Sequence, residues 1–298
     1  MRILLFLLTN IAIMVVVGLL FHLLGLGQFM QQRGVGLNLT HLLIVSAFMG
    51  MTGSFISLFI SKWMAKRSMG VFVIERPSNP TETWLVETVR RLSKQAGIGM
   101  PEVGIFDSHE PNAFATGASR DNALVAVSSG LLHNMNQSEV EAVLGHEISH
   151  VANGDMVTMT LIQGVVNTFV YFLATIAGYV VDRTLLRSDN EESGGFGPAY
   201  YITQMVAQIV LGILASMIVM WFSRWREFRA DAGGASLAGR AKMIAALHAL
   251  QRAKDPTEMP AEMMAFGIRG GGNGWMELFM SHPPLEKRIA ALESGQQH

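Results

Sequence analysis

The stretch Asn136-Gln137-Ser138-Glu139-Val140-Glu141-Ala142-Val143-Leu144-Gly145-His146-Glu147-Ile148-Ser149-His150-Val151-Ala152-Asn153-Gly154-Asp155 decides how the rest of the chain is read. Asn136 with Glu139 three residues later is a capping-box start. Val140, Val143, Leu144, Ile148 and Val151 recur at helical spacing, and Asn153-Gly154 is a stop signal. One turn apart on this helix, His146 and His150 share a face, so both imidazoles can reach one ion. Glu147, about 100° around from His146, can approach a water on that ion without being a ligand. Chance alone yields H-E-x-x-H in roughly one or two such chains per hundred, and its plain alternative is a pair of surface histidines on an amphipathic helix.

Outward from this helix the charge disappears. Residues 3–32, 34–61, 156–181 and 193–223 hold no charged side chain, 115 residues of 298 in all. The other 183 carry every one of the 22 Lys+Arg and 23 Asp+Glu, about 25%, an ordinary soluble value. The chain therefore reads as a membrane part plus a normal globular part. Half of it is hydrophobic and low-complexity tracts are absent, which excludes fibrous, collagen-like and disordered classes. A net charge of −1 gives no basic stripe for nucleic acid. With no cysteine, disulfide frameworks, Cys-based zinc sites and thiol nucleophiles are excluded. Gly270-Gly271-Gly272-Asn273-Gly274 lacks the strand–helix context of a phosphate loop and reads as a flexible connection, so no nucleotide partner is expected.

Segments 3–24, 41–61, 156–181 and 200–222 each supply the roughly 20 apolar residues that cross a bilayer. The first is read as a retained anchor, because its apolar core is too long for a secretory signal and no A-x-A-like site follows. Arg2, Lys62, Lys66, Arg67, Arg224, Arg226 and Arg229 flank one side, against Arg33, Arg183 and Arg187 on the other. The positive-inside rule then puts both termini, 62–155 and 224–298 in the cytoplasm. A buried helical hairpin at 156–223 would give a similar pattern. The expected domains are two membrane helices over 1–61, a first protease part over 62–155, a membrane hairpin over 156–223 and a second part over 224–298. In the first cytoplasmic part, Asn79-Pro80 opens a helix that stops at Gly97. Residues 71–74 and 103–106, and the alternation over 123–127, read as strands. The expected fold is α+β and mainly helical, a soluble domain interrupted by a membrane hairpin.

A catalytic zinc takes three protein ligands, and two histidines leave it one short. Beyond the fourth apolar run stands Arg226-Glu227-Phe228-Arg229-Ala230-Asp231. Two crossings separate His150 from Glu227, so Glu227 returns to the side that His150 left. Asp231 lies four residues after Glu227 on the same face, where a carboxylate could accept an N–H from a ligand histidine. A solvated charged face at a membrane boundary is the plain alternative.

The chain resembles the bacterial membrane members of the gluzincin metallopeptidases, peptidase family M48. The resemblance is carried by Met1-Arg2-Ile3-Leu4-Leu5-Phe6-Leu7-Leu8-Thr9-Asn10, Asn112-Ala113-Phe114-Ala115-Thr116-Gly117, Asn153-Gly154-Asp155-Met156 and Ser281-His282-Pro283-Pro284-Leu285-Glu286-Lys287-Arg288. It implies one Zn2+ per chain on His146, His150 and Glu227, with Glu147 as general base and Asp231 behind the ligands. It implies a bacterial inner-membrane location, polypeptide substrates and a role in clearing misfolded or damaged membrane proteins. Oxyanion stabilisation needs a further donor, for which His282 and Arg288 are candidates. Their plain alternatives are a helix cap for His282 and a surface ion pair for Arg288. Asn112, Ala113 and Phe114 resemble the edge strand on which gluzincins lay an extended substrate, a β-augmentation, unless they form an ordinary turn and strand. Competing functions are a membrane scaffold or chaperone with a structural zinc, and a dedicated site-specific processing protease.

Overall fold

The structure, a computed structural model, describes residues 38–184, 196–254 and 282–295. In chain order the described elements are α1 (Leu39–Ser68), β1 (Phe72–Val73), α2 (Pro80–Ala96), β2 (Glu102–Phe106), β3 (Ala113–Ser119), β4 (Asn122–Ser128), α3 (Ser129–Asn134), α4 (Gln137–Asn153), α5 (Asp155–Thr184), α6 (Pro198–Ala238), α7 (Arg240–Lys254) and α8 (Leu285–Ser294). The mainly helical α+β reading holds. The expected membrane segment 3–24 and the glycine-rich connection 270–274 lie outside the described residues.

The described residues divide into two compact units, one falling within 1–56 and 160–219 and the other within 57–159 and 220–298. Three described helices, α1, α5 and α6, are long and apolar enough to cross a membrane. In the first unit, α1 and α5 touch where side chains are small. A Cβ on Gly50 would stand 2.6 Å from the Thr168 nitrogen, and one on Gly164 would stand 2.6 Å from the Met51 sulfur. Small residues permit this approach where lipid offers no hydrophobic drive for helices to associate. Gln204 Nε2 donates to Thr175 Oγ1 at 3.0 Å, tying α6 to α5. Within α5, Gln163 Nε2 donates to Asn167 Oδ1 at 2.8 Å. Ile202, Met205, Val206, Ile209, Val210, Ile213, Leu214 and Ile218 of α6 are all at least half exposed, an apolar surface suited to lipid.

The second unit holds a four-stranded sheet in the order β1-β2-β4-β3. Strand β2 runs parallel to β4, and the outer strands β1 and β3 are antiparallel to their neighbours. The strand expected over 123–127 is present within β4, though simple alternation would leave one face to solvent. Instead Ala123, Leu124, Val125, Ala126 and Val127 are all buried, because β4 is flanked by strands on both edges and both its faces are covered. The limits expected for α2 are met: Asn79 Oδ1 accepts from the Glu82 N–H, Pro80 opens the helix, and Gly97 closes it at φ 67°. Leu85, Val89 and Leu92 of α2 pack with Val125 and Val127 of β4, Leu144 and Ile148 of α4, Met243 and Leu247 of α7, and Ile289 and Leu292 of α8. The helix of the H-E-x-x-H motif is thus fixed by one apolar core that draws on sequence both before α5 and after α6.

Candidate metal centre

Helix α4 begins at the capping box of Asn136 and Glu139 and ends at Gly154, whose left-handed φ of 66° lets its N–H reach back to the carbonyls of His150 and Val151. Helix α6 reaches α4 through glycine. A Cβ on Gly234 would meet the backbone nitrogen of His146 at 2.9 Å, and one on Gly233 would meet Ser149 Oγ at 2.6 Å. A Cβ on Gly145 would in turn stand 3.2 Å from the carbonyl oxygen of Gly234. This contact of backbone on backbone carries Glu227 and Asp231, about two turns and one turn earlier on α6, alongside the two histidines.

His146 Nε2 lies 3.5 Å from Glu227 Oε2, His150 Nε2 lies 3.3 Å from Glu227 Oε1, and the two Nε2 atoms are 3.1 Å apart. One donor atom from each of the three residues falls within 4.8 Å of the others. Behind them, His146 Nδ1 faces Asp231 Oδ1 at 2.9 Å and His150 Nδ1 faces Asp155 Oδ2 at 2.7 Å. An ionised carboxylate can only accept, so each Nδ1 carries a hydrogen, and each Nε2 is the ring nitrogen that faces Glu227. Arg288 grips Asp231 with two bonds, Nε to Oδ2 at 2.7 Å and Nη2 to Oδ1 at 2.6 Å.

The electrostatics follow from these contacts. Burial alone would lower the pKa of His150, but Asp155 and Glu227 more than offset it and hold it up at about 10. For His146 burial is likewise outweighed, by Asp231 and then Glu227, and its pKa is raised. Burial would also lower Arg288, and Asp231 reverses that. Glu227 is 2% exposed. His282 Nδ1 at 2.8 Å and Arg288 Nη1 at 3.5 Å stand near its Oε2, yet among the described residues no well-aligned hydrogen bond reaches that buried oxygen. Native proteins seldom leave such an atom without a partner unless an ion or a water completes it. Two imidazole nitrogens and a carboxylate oxygen are also the donor set of a catalytic zinc. The residues fit the metal.

The other candidates fall as follows. Glu147 is half-buried, one position off the ligand face. Among the described residues its carboxylate enters no hydrogen bond or ion pair, though its charge helps to raise His150 and Arg288. Helix α8 starts at Leu285 with no side-chain cap, so His282 does not cap it and points at Glu227 instead, with its side chain 62% exposed. Arg288 is buried at 6% exposure and is no surface pair. Ala113 and Phe114 open β3, the last strand of the sheet among the described residues, and β3 packs against α4. Asn112 pins the strand's start, its N–H donating to Ser128 Oγ and its carbonyl accepting from the Ser128 N–H. Sequence reasoning assigned no role to Asp155, to Arg226 or to the three glycines. A Gly stop signal followed at once by an acid was the available sign of Asp155.

Residues 79–296 match Peptidase family M48. Protease HtpX of Thioalkalivibrio sulfidiphilus is 63% identical over 296 residues, covering 99% of both chains. Protease HtpX of Pseudoalteromonas atlantica is 62% identical over 294 residues, again covering 99% of each. Among solved structures, the crystal structure of S. mikatae Ste24p is similar with a TM-score of 0.62 at 20% identity, over 85% of this chain and 58% of that one.

Proposed function

The chain belongs to peptidase family M48 and is a multi-pass membrane metalloprotease, and from that premise we propose that it is a zinc endopeptidase with one Zn2+ held by His146, His150 and Glu227. Its substrates, in this reading, are misfolded or damaged membrane proteins and some cytoplasmic ones. It sits in the bacterial inner membrane with both termini and the active site in the cytoplasm, as the flanking Lys and Arg favour. The single observation that carries the zinc reading is the convergence of the His146 and His150 imidazoles and the Glu227 carboxylate, with one donor atom of each within 4.8 Å of the others.

When bound, zinc supplies a Lewis acid that polarises a peptide carbonyl and lowers the pKa of water. Glu147, with its carboxylate uncommitted, takes a proton from the attacking water and returns it to the departing amine. Asp231 keeps His146 in the tautomer that offers Nε2, and Arg288 holds Asp231. Of the two oxyanion candidates, His282 is the one with an exposed side chain, so it is the donor for developing negative charge. Arg288, committed to Asp231, acts by positioning. An extended peptide pairs with the outer edge of β3 at Asn112, Ala113 and Phe114, so main-chain bonds hold it and side chains are read loosely. A protease with no nucleotide motor and this mode of grip cleaves segments that are already exposed, which is what misfolded proteins present.

The test is zinc content of the purified full chain together with casein cleavage before and after a chelator. Stoichiometric zinc and cleavage restored by zinc are expected. Zinc without cleavage would instead indicate a structural site.

A further inference from the structure

The two histidines are supported in different ways. Asp231 reaches His146 from another helix and is itself clamped by Arg288. His150 is supported by Asp155, five residues on in the same chain. In an unbroken helix, five residues correspond to roughly 140° around the axis, and Asp155 would face away from His150. The left-handed Gly154 ends α4 one residue before Asp155 opens α5, and that break turns the carboxylate back onto Nδ1 at 2.7 Å. Asp155 is 4% exposed. Arg226 Nη1 stands 3.9 Å from Oδ2, which balances charge without gripping the carboxylate. The position of Asp155 is therefore set by the backbone turn.

We propose that Asp155, aimed by the Gly154 turn, is the positioning residue for His150, holding its ring and tautomer so that Nε2 faces the metal. This rests on the zinc reading above and adds to it a second carboxylate that matches Asp231. Removing such a partner behind a ligand typically weakens metal binding about 10–100-fold. A competing role is purely local, since an acid in the first turn of a helix favours that helix whatever it touches.

The experiment uses the full chain in detergent, with Asp155→Ala and Asp155→Asn beside the parent. Zinc affinity is measured by competition with a chelator, and the d–d absorption of the Co2+-substituted protein reports the ligand field. Asp155→Ala is expected to bind zinc about 10–100-fold more weakly, with a shifted cobalt spectrum. Asp155→Asn keeps an oxygen that accepts the Nδ1 hydrogen, so most of the affinity and the parent spectrum should return. The inference is overturned if Asp155→Ala keeps the parent affinity and spectrum, or if Asp155→Asn is as impaired as Asp155→Ala, since charge and not orientation would then matter. Should Asp155→Ala fail to fold, Asp155→Asn against the parent decides alone, by retaining or losing the parent spectrum. A parent chain that binds no zinc overturns the metalloprotease reading and this inference together, whereas zinc on the parent with an indifferent Asp155→Ala overturns this inference only.

Discussion

Replacing Gly234 by alanine separates two effects that pull in opposite directions. Alanine inside a helix is favoured over glycine by about 1 kcal/mol, which alone would stabilise α6. The added Cβ, however, would stand 2.9 Å from the nitrogen of His146, 3.1 Å from its Cα and 3.3 Å from the carbonyl carbon of Gly145. These are backbone atoms of α4, and no side chain can rotate to relieve them. Restoring ordinary contact near 3.5 Å requires the helices to part by roughly 0.5 Å. Overpacking of this kind costs about 1–3 kcal/mol, so the net change is a destabilisation of about 0–2 kcal/mol. The consequence for the site is larger, because Glu227 and Asp231 move with α6 while His146 and His150 stay on α4. A displacement of about half an ångström across a metal site should weaken zinc binding by about tenfold or more. Chelator competition measures this, with thermal unfolding in parallel. Gly212→Ala, on the same helix but with nothing within 4 Å of its Cβ, is the control and should be neutral or slightly stabilising. If Gly234→Ala raised the melting temperature and left zinc affinity within about twofold of the parent, the close helix contact would not be what sets the ligand geometry.

Glu147→Gln should retain stoichiometric zinc and lose about 10²–10⁴-fold in casein cleavage, and turnover near the parent rate in zinc-loaded protein would refute the role given to Glu147. Arg288→Met leaves Asp231 buried with His146 as its remaining partner and should destabilise the chain by about 3–5 kcal/mol. Pairing it with Asp231→Asn should recover part of that loss in denaturant titrations, and strict additivity would show that the two do not form a unit. The raised histidine pKa values give zinc binding a definite pH dependence. The metal-free site holds protons at pH 7 that zinc must displace, so affinity should strengthen about tenfold per pH unit for each proton released between about pH 6 and 8. In the metal-free chain the stabilising contribution of His150 is fully present below about pH 6.5. It is lost as pH rises through its folded value of about 10. Competition assays at three pH values would show a flat profile if the site carried no such protons.

Local pattern made much of this protein legible. Helix α4 was readable because its cap, apolar spacing and glycine stop all lie within 20 consecutive residues and act through contacts a few residues apart. Membrane helices α1, α5 and α6 were readable because uncharged length is itself the physical requirement for crossing lipid. Glu227 was singled out by bilayer arithmetic: an even number of expected crossings would return the chain to the side it left. The covering of both faces of β4 was not visible, because it depends on what packs against the strand.

The sequence by itself determined which residue types could bind a metal, which stretches could enter lipid, and where the helix of the H-E-x-x-H motif begins and ends. Only the tertiary structure decided how those donors meet. Glycines at 145, 233 and 234 look like ordinary small residues until two helix backbones are seen in contact. Arg288, whose plain expectation was a surface pair, proved to be the buried clamp of Asp231, and Asp155 turned back onto His150 through one left-handed residue. Each of these is a through-space relation between groups far apart in sequence, or on opposite sides of a chain reversal. Spacing along the chain does not encode such distances; the packing of α4, α6 and α8 around a shared core does.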